Sequence, residues 1–152
     1  MPYMLKTLLL SLVTLLVIAV FYFSIDSRPA SKADPRNAQQ VAQGEKIYDT
    51  HCASCHGNNL EGQPNWRTPK PNGRMPAPPH DKSGHTWHHA DELLFGISKY
   101  GLVPPYGPDN YTSDMPGFAN VLSDEEIWAV LAYIKSQWPS DILTNQQQIS
   151  AD

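Results

Sequence analysis

The chain has only two cysteines among its 152 residues, and both lie in one short segment, at Cys52 and Cys55. A structural zinc site normally has four ligands, and no second cysteine pair is available to supply the other two. A thioredoxin-like redox pair would lie within a β-α-β pattern, and the sequence around the two cysteines has no such pattern. No cysteine lies near the N-terminal apolar segment, which excludes a thiol-linked lipid anchor there.

Basic residues are also few. Lys and Arg number 11 against 15 Asp and Glu, which gives a formal net charge of −4. Lys6 is the only charged residue before Asp26, so the rest of the chain carries 10 minus 15, or −5. Nucleic-acid-binding proteins present a basic surface, and this balance argues against that class. It is compatible with a protein partner that bears a positive patch.

Long regular segments are scarce in the middle of the chain. Ten of the 14 prolines fall between Pro64 and Pro116, so this region cannot be mainly helix or sheet. Residues 57–89 are predicted to form one long irregular loop, and the sequence contains no internal repeat. A compact domain with so much irregular chain needs another component to fill its core.

The segment Cys52-Ala53-Ser54-Cys55-His56 indicates what that component is. The spacing Cys-x-x-Cys-His is typical of a c-type haem attachment site. Each thiol can add to one vinyl group of the porphyrin, and the adjacent His56 can supply a nitrogen to the iron. The haem would then contribute a large apolar disc to the core.

Residues 7–25 contain no charge and would form a helix about 28 Å long. This length is close to the bilayer core of about 30 Å, which predicts a membrane anchor over residues 1–25. The positive-inside rule then places the N-terminus in the cytoplasm and exports the rest. A cleaved signal peptide is the alternative, although signal h-regions are shorter, about 7–15 residues. Residues 26–34 are polar and are predicted to form a tether.

Three helices are predicted in the remaining chain. The first runs over residues 35–51, with Asp34 as N-cap and Pro35 at the first helical position. Gly44 lies on the apolar face of this helix. Glycine inside a helix costs about 1 kcal/mol of helix stability against alanine, so its presence predicts that another helix packs closely against this position. The second runs over residues 91–100 and stops at Gly101.

The third predicted helix begins at Ser123, which forms a capping box with Glu126, and ends at Pro139. Its apolar residues recur at helical spacing: Ile127, Val130, Leu131 and Ile134. The globular domain is therefore placed at residues 35–140, and residues 141–152 are predicted to be a flexible tail.

Residues 43–139 resemble the class I cytochromes c. The matching segments are Gly44…Tyr48…Cys52-Ala53-Ser54-Cys55-His56-Gly57, then Met115-Pro116-Gly117-Phe118, then Leu131-Ala132-Tyr133-Ile134-Lys135. The resemblance implies an all-α cytochrome c fold, with about three main helices and long loops around one covalent haem c. It also implies that the N-terminal and C-terminal helices cross at Gly44, Tyr48, Val130 and Tyr133, and that the protein transfers single electrons rather than acting as an enzyme.

The expected haem site has five residues. Cys52 and Cys55 form the thioether bonds, and His56 is one axial ligand. Pro64 is expected to supply the carbonyl that accepts a hydrogen bond from the His56 Nδ1–H. Met115 is expected as the other axial ligand, because thioether sulfur suits that position and the family's ligand comes from the corresponding loop. Met75 is the competing candidate.

The resulting expectation is a membrane-anchored one-electron carrier of a bacterial respiratory chain, with its haem domain on the periplasmic side of the inner membrane. Its partners would be redox proteins such as a quinol-oxidising complex and a terminal oxidase. One alternative is a fixed cytochrome c subunit of a membrane oxidase or dehydrogenase. Another is a haem- or metal-binding sensor that uses the histidines of residues 80–89, since imidazoles suit copper and zinc.

Overall fold

The computed structural model describes Thr14 and residues 32–151. The compact unit that contains the haem motif begins at Lys32. Five α-helices and one short 3-10 helix lie in residues 32–151, and no β-strand occurs there, which agrees with the predicted all-α fold. The predicted anchor falls outside the described residues. Among those described, no helix is long and apolar enough to cross a membrane.

The last part of the predicted tether belongs to the folded domain. Ala33 is completely buried and packs in a hydrophobic cluster with Leu94 and Leu131. Lys32 Nζ lies 3.0 Å from Glu92 Oε1, on the helix that spans Asp91–Tyr100. The placement of residues 32–34 in a tether was therefore wrong, because the alanine side chain contributes to the core.

Helix α1 spans Ala38–His51 and starts three residues later than predicted. The Asp34 carboxylate accepts a hydrogen bond from the Arg36 backbone N–H at 3.0 Å, which closes a turn instead of capping the helix. Asn37 is the N-cap, and its side chain accepts from the Gln40 N–H at 3.1 Å. The prediction of Asp34 as N-cap was wrong, because an aspartate carboxylate can also accept from the backbone two residues later and so form a turn ahead of the helix.

Two short elements and one longer helix follow. Helix α2 spans Ala53–His56, and the 3-10 helix spans Thr86–His88 within the otherwise irregular loop that was predicted. Helix α3 spans Asp91–Tyr100, the predicted range. It ends at Gly101, whose φ of +83° is readily adopted only by glycine.

Helix α4 spans Asp124–Ser136. The predicted capping box is present, with Ser123 Oγ accepting from the Glu126 N–H at 3.2 Å and Glu126 Oε2 accepting from the Ser123 N–H at 2.8 Å. Residues 127–135 are all buried, so most of this helix lies inside the domain.

Helices α1 and α4 cross at Gly44, as predicted. A Cβ atom on Gly44 would lie 1.9 Å from the Ala129 backbone oxygen and 3.0 Å from the Tyr133 Cβ. One turn further along α1, the Tyr48 and Tyr133 rings lie 5.3 Å apart. Only glycine at position 44 lets the two backbones approach this closely.

The predicted flexible tail contains helix α5, Ser140–Ile149. Gln146 is completely buried, and its Nε2 lies 2.6 Å from Asp91 Oδ1 and 3.2 Å from the His89 carbonyl oxygen. Lys135 Nζ lies 2.7 Å from the other oxygen of Asp91. The prediction of a flexible tail over residues 141–152 was wrong, because this buried polar network fixes α5 against α3 and α4.

Candidate functional site

A cavity of about 470 Å³ lies between α3, α4 and the loops that follow α2 and α3. Its walls include the apolar side chains that the sequence places at helical spacing: Leu93, Leu94 and Ile97 of α3, and Ile127, Val130, Leu131 and Ile134 of α4. The predicted apolar face of α4 therefore lines a cavity, and the Ala129 and Gly44 contact lies at the crossing with α1.

The Cys-x-x-Cys-His motif lies on the cavity wall. Cys52 ends α1, and the Cys52 carbonyl accepts from the Cys55 N–H at 3.1 Å and from the His56 N–H at 2.9 Å. This turn brings both thiols and the imidazole to the cavity. The cysteines are not joined in a disulfide. Burial, with a smaller contribution from Cys55, raises the pKa of the free Cys52 thiol to about 11.

The neutral His56 imidazole is held in one tautomer. Its Nδ1 lies 2.8 Å from the Pro78 carbonyl oxygen, which can only accept a hydrogen bond, so Nδ1 carries the proton. Burial lowers the pKa of His56, although the Pro78 carbonyl opposes that shift. The neutral ring then has an unprotonated Nε2, which is the form that binds iron.

The carbonyl acceptor is Pro78 and not Pro64, so the prediction for Pro64 was wrong. Gln63 and Ala77 pair with each other, through Gln63 N–H to Ala77 O at 2.9 Å and Ala77 N–H to Gln63 Oε1 at 3.0 Å. These bonds close a loop formed by residues 64–76, and Pro64 is exposed in that loop. The chain comes back to His56 only after Ala77, so the carbonyl of Pro78 lies within hydrogen-bond distance of His56 Nδ1.

Met115 lines the cavity, as its proposed role requires. The loop that carries it is fastened to the end of α3, where Phe118 N–H donates to Ser98 O at 3.0 Å and Ala119 N–H donates to Lys99 O at 2.9 Å. A Cβ on Gly117 would lie 2.7 Å from the Tyr100 carbonyl carbon. Glycine is therefore needed where the loop meets the helix.

Met75 lines the same cavity, so cavity lining alone does not separate the two methionines. Their loops are joined by neighbouring residues. Asp114 forms an ion pair with Lys70 at 3.1 Å and a second with the Arg74 guanidinium. The Arg74 and Lys70 hydrogen bonds lower the pKa of Asp114, which is ionised at neutral pH.

The histidines of residues 80–89 contact different aromatic rings, and the ring centroids of His85 and His89 also lie 5.5 Å apart. His80 stacks on His56, His85 stacks on Trp66 at 5.3 Å, and His88 stacks on Trp87 at 3.7 Å. Burial, together with the neighbouring His56, holds the pKa of His80 well below its usual value. Within residues 32–151, no group of three His, Cys, Asp or Glu side chains could hold a metal ion.

The side chains that line the cavity fit a covalent haem. The wall supplies apolar side chains for the porphyrin, two thiols for its vinyl groups, an imidazole with a free Nε2 and a thioether sulfur. Cys52 and Cys55 would hold the haem covalently, and the iron would supply a one-electron couple. The fold and this site together define an all-α protein of the c-type haem class.

Comparison with known families agrees. The family model described as Cytochrome c matches residues 41–138, which is 98 of the 152 residues, and the chain belongs to this family. It is an electron-transfer haem protein whose cofactor is covalently attached haem c. Neither the comparison with curated proteins nor that with solved structures gave a match.

Sequence reasoning missed three features of the site. These are the Pro78 carbonyl, the stacking of His80 on His56, and the pairing of Asp114 with Lys70 and Arg74. The cluster of histidines and the run of prolines drew attention to residues 64–89, but neither pattern specifies which residue folds back onto His56.

Proposed function

We propose that this chain is a membrane-anchored carrier of single electrons, with one haem c whose iron is bound by His56 and Met115. The observation that supports this most strongly is that His56 and Met115 lie on the wall of one apolar cavity, beside Cys52 and Cys55. Met75 lines the same cavity, and the resemblance to the class I cytochromes c selects Met115 over it. Imidazole and thioether sulfur are the axial pair typical of electron-transferring cytochromes c, in which the sulfur raises the reduction potential.

The same ligand pair argues for a carrier rather than an enzyme. An iron with two protein ligands has no free coordination position for oxygen, peroxide or another substrate. The Met115 loop is held to α3 by two backbone hydrogen bonds and by the close Gly117 contact, which opposes loss of the ligand. Electron transfer needs only a small change in geometry between the two oxidation states, and a firmly held ligand suits that purpose.

The location is part of the proposal. The uncharged segment over residues 7–25 would anchor the protein in the bacterial cytoplasmic membrane, with the haem domain on the periplasmic side. The domain begins at Lys32, so residues 26–31 would connect it to the anchor. Anchoring raises the effective concentration near membrane-bound partners. These would be respiratory redox proteins such as a quinol-oxidising complex and a terminal oxidase.

The sixth ligand is tested by substituting the two methionines in parallel. Ferric haem with a methionine ligand has a weak near-infrared charge-transfer band, which we expect in the unmodified protein. Met115→Ala should abolish the band, lower the reduction potential and allow carbon monoxide to bind the ferrous protein, because the sulfur is gone. Met75→Ala is the matched control, since it removes the same side chain from the same cavity, and it should keep the band. The reverse result would assign the ligand to Met75.

The anchor is tested by washing membranes of cells that express the full chain. We expect the protein to stay with the membranes through high salt and alkaline carbonate, and N-terminal sequencing to begin at or near Met1. A soluble periplasmic protein with a new N-terminus would identify the segment as a cleaved signal peptide. Migration in mild detergent at the size of one chain is expected of a carrier, whereas a large stable complex would indicate a fixed subunit.

A further inference from the structure

We propose that His80 is a positioning residue for His56, whose ring it holds in one orientation by stacking against it. The proposal rests on the proposed binding of iron by His56. His80 is the first residue of segment 80–89, to which the family resemblance assigns no role.

The two rings are close and nearly parallel. Their centroids lie 4.0 Å apart and their planes make an angle of 24°. The hydrogen bond from His56 Nδ1 to the Pro78 carbonyl fixes one point on the ring. Even with iron bound at Nε2, the ring could still turn about the line through its two nitrogens, and a planar neighbour against its face opposes that rotation.

His80 can do this because it is itself anchored on several sides. Its backbone N–H donates to Leu60 O at 2.8 Å, and its carbonyl oxygen accepts from Trp138 Nε1 at 2.7 Å. Its ring Nδ1 lies 2.9 Å from Thr86 Oγ1. The Tyr48 ring packs against the His80 ring at an interplanar angle of 73°, with the ring centroids 6.3 Å apart. The contacts come from four separate parts of the domain, so the ring of His80 is a fixed surface.

One short segment therefore contacts the proximal histidine twice. Pro78 supplies the carbonyl, and His80, two residues later, supplies the stacked ring. Thr86 Oγ1 also lies 3.4 Å from the Pro79 carbonyl oxygen, so the 3-10 helix holds the same segment from its other side. Residues 78–80 fix both the proton on Nδ1 and the plane of the imidazole.

The orientation of an axial imidazole has a measurable consequence in ferric low-spin haem. It determines how unpaired spin is distributed over the porphyrin, and the four haem methyl resonances in the proton NMR spectrum report that distribution. Loss of the stacked ring should change the order and spacing of these resonances. A residue that only fills space should not affect them once its volume is replaced.

Two substitutions separate these roles. His80→Phe and His80→Leu both lose the bond to Thr86 and both fill the space with apolar atoms, but only phenylalanine provides a planar ring. In the full-length, haem-loaded ferric protein, we expect His80→Phe to keep the methyl pattern of the unmodified protein and His80→Leu to change it. We also expect the reduction potential of His80→Leu to shift and that of His80→Phe to stay close to that of the unmodified protein. Identical patterns in the two variants, whether changed or unchanged, would overturn the proposal.

A measurement on the unmodified protein is independent of whether either variant folds. In the reduced, diamagnetic protein, nuclear Overhauser effects between the ring protons of His56 and His80 are expected from the stacked geometry. Their absence would overturn the proposal. Failure of the proposed ligation is distinguishable, because the unmodified protein would then lack the low-spin spectrum and near-infrared band, whereas failure of the His80 proposal would leave both in place.

Discussion

Replacement of Gly44 by alanine tests the helix crossing on which the domain is built. The added methyl group would lie 1.9 Å from the Ala129 carbonyl oxygen, about half of an ordinary carbon–oxygen contact distance. The obstacle is backbone, which cannot rotate away as a side chain can. The crossing must therefore open, and the contact between Tyr48 and Tyr133 at 5.3 Å would be disturbed.

The expected magnitude comes from two opposing terms. Overpacking costs about 1–3 kcal/mol, and the upper end applies because neither backbone can give way. Alanine gains about 1 kcal/mol over glycine inside a helix. The net loss in the free energy of unfolding is therefore about 2 kcal/mol, which corresponds to about 1 M in the urea midpoint.

The assay is urea unfolding of the haem-loaded, full-length protein in mild detergent, followed by far-ultraviolet circular dichroism. Ala42→Gly is the control, because Ala42 is exposed on the same helix and the change measures the helix preference alone. It should destabilise by about 1 kcal/mol. A Gly44→Ala protein as stable as the unmodified one, or more stable, would refute the close crossing.

Three further substitutions test other parts of the domain. Lys135→Met leaves Asp91 without its buried cation and should cost about 3–5 kcal/mol in urea unfolding, and a cost below 1 kcal/mol would show that the pair contributes little. Ser123→Ala removes the capping box of α4 and should cost about 1 kcal/mol, with no change expected in the haem spectrum. Asp114→Asn removes the two ion pairs that tie the Met115 loop to Lys70 and Arg74. Because salt screens these pairs, the variant should bind cyanide faster than the unmodified ferric protein at low salt, and an increase that persists at high salt would contradict an electrostatic cause.

Local signals in the sequence predicted the elements that local interactions determine. The bounds of α3, the capping box at Ser123 and the close approach at Gly44 depend on neighbours within a turn or on the size of one side chain. The haem motif is equally local, because five consecutive residues carry it. The N-cap of α1 is the exception, since Asp34 and Asn37 are both good caps and only the folded turn selects between them.

The features that could not be predicted depend on contacts between distant segments. Helix α5 has three consecutive glutamines and only a few apolar residues, and a helix of ten residues is marginal in isolation. It is held by the bonds of Gln146 to residues more than 50 positions away. Pro78 reaches His56 because Gln63 and Ala77 close the intervening loop, and no property of the prolines themselves distinguishes Pro78 from Pro64.

Helix α4 packs against α1 on one side and lines the cavity on the other. Ala129 and Tyr133 face α1, whereas Ile127 and Leu131 face the cavity. Opening the crossing at Gly44 should therefore lower the unfolding free energy while the ligands on the cavity wall stay in place. A change at His80 should alter the haem methyl pattern, because that residue acts on the plane of one imidazole. Stability and spectrum should thus respond to different substitutions, and a variant of Gly44 that altered the haem methyl pattern as strongly as His80→Leu would show that the two sides of α4 are coupled.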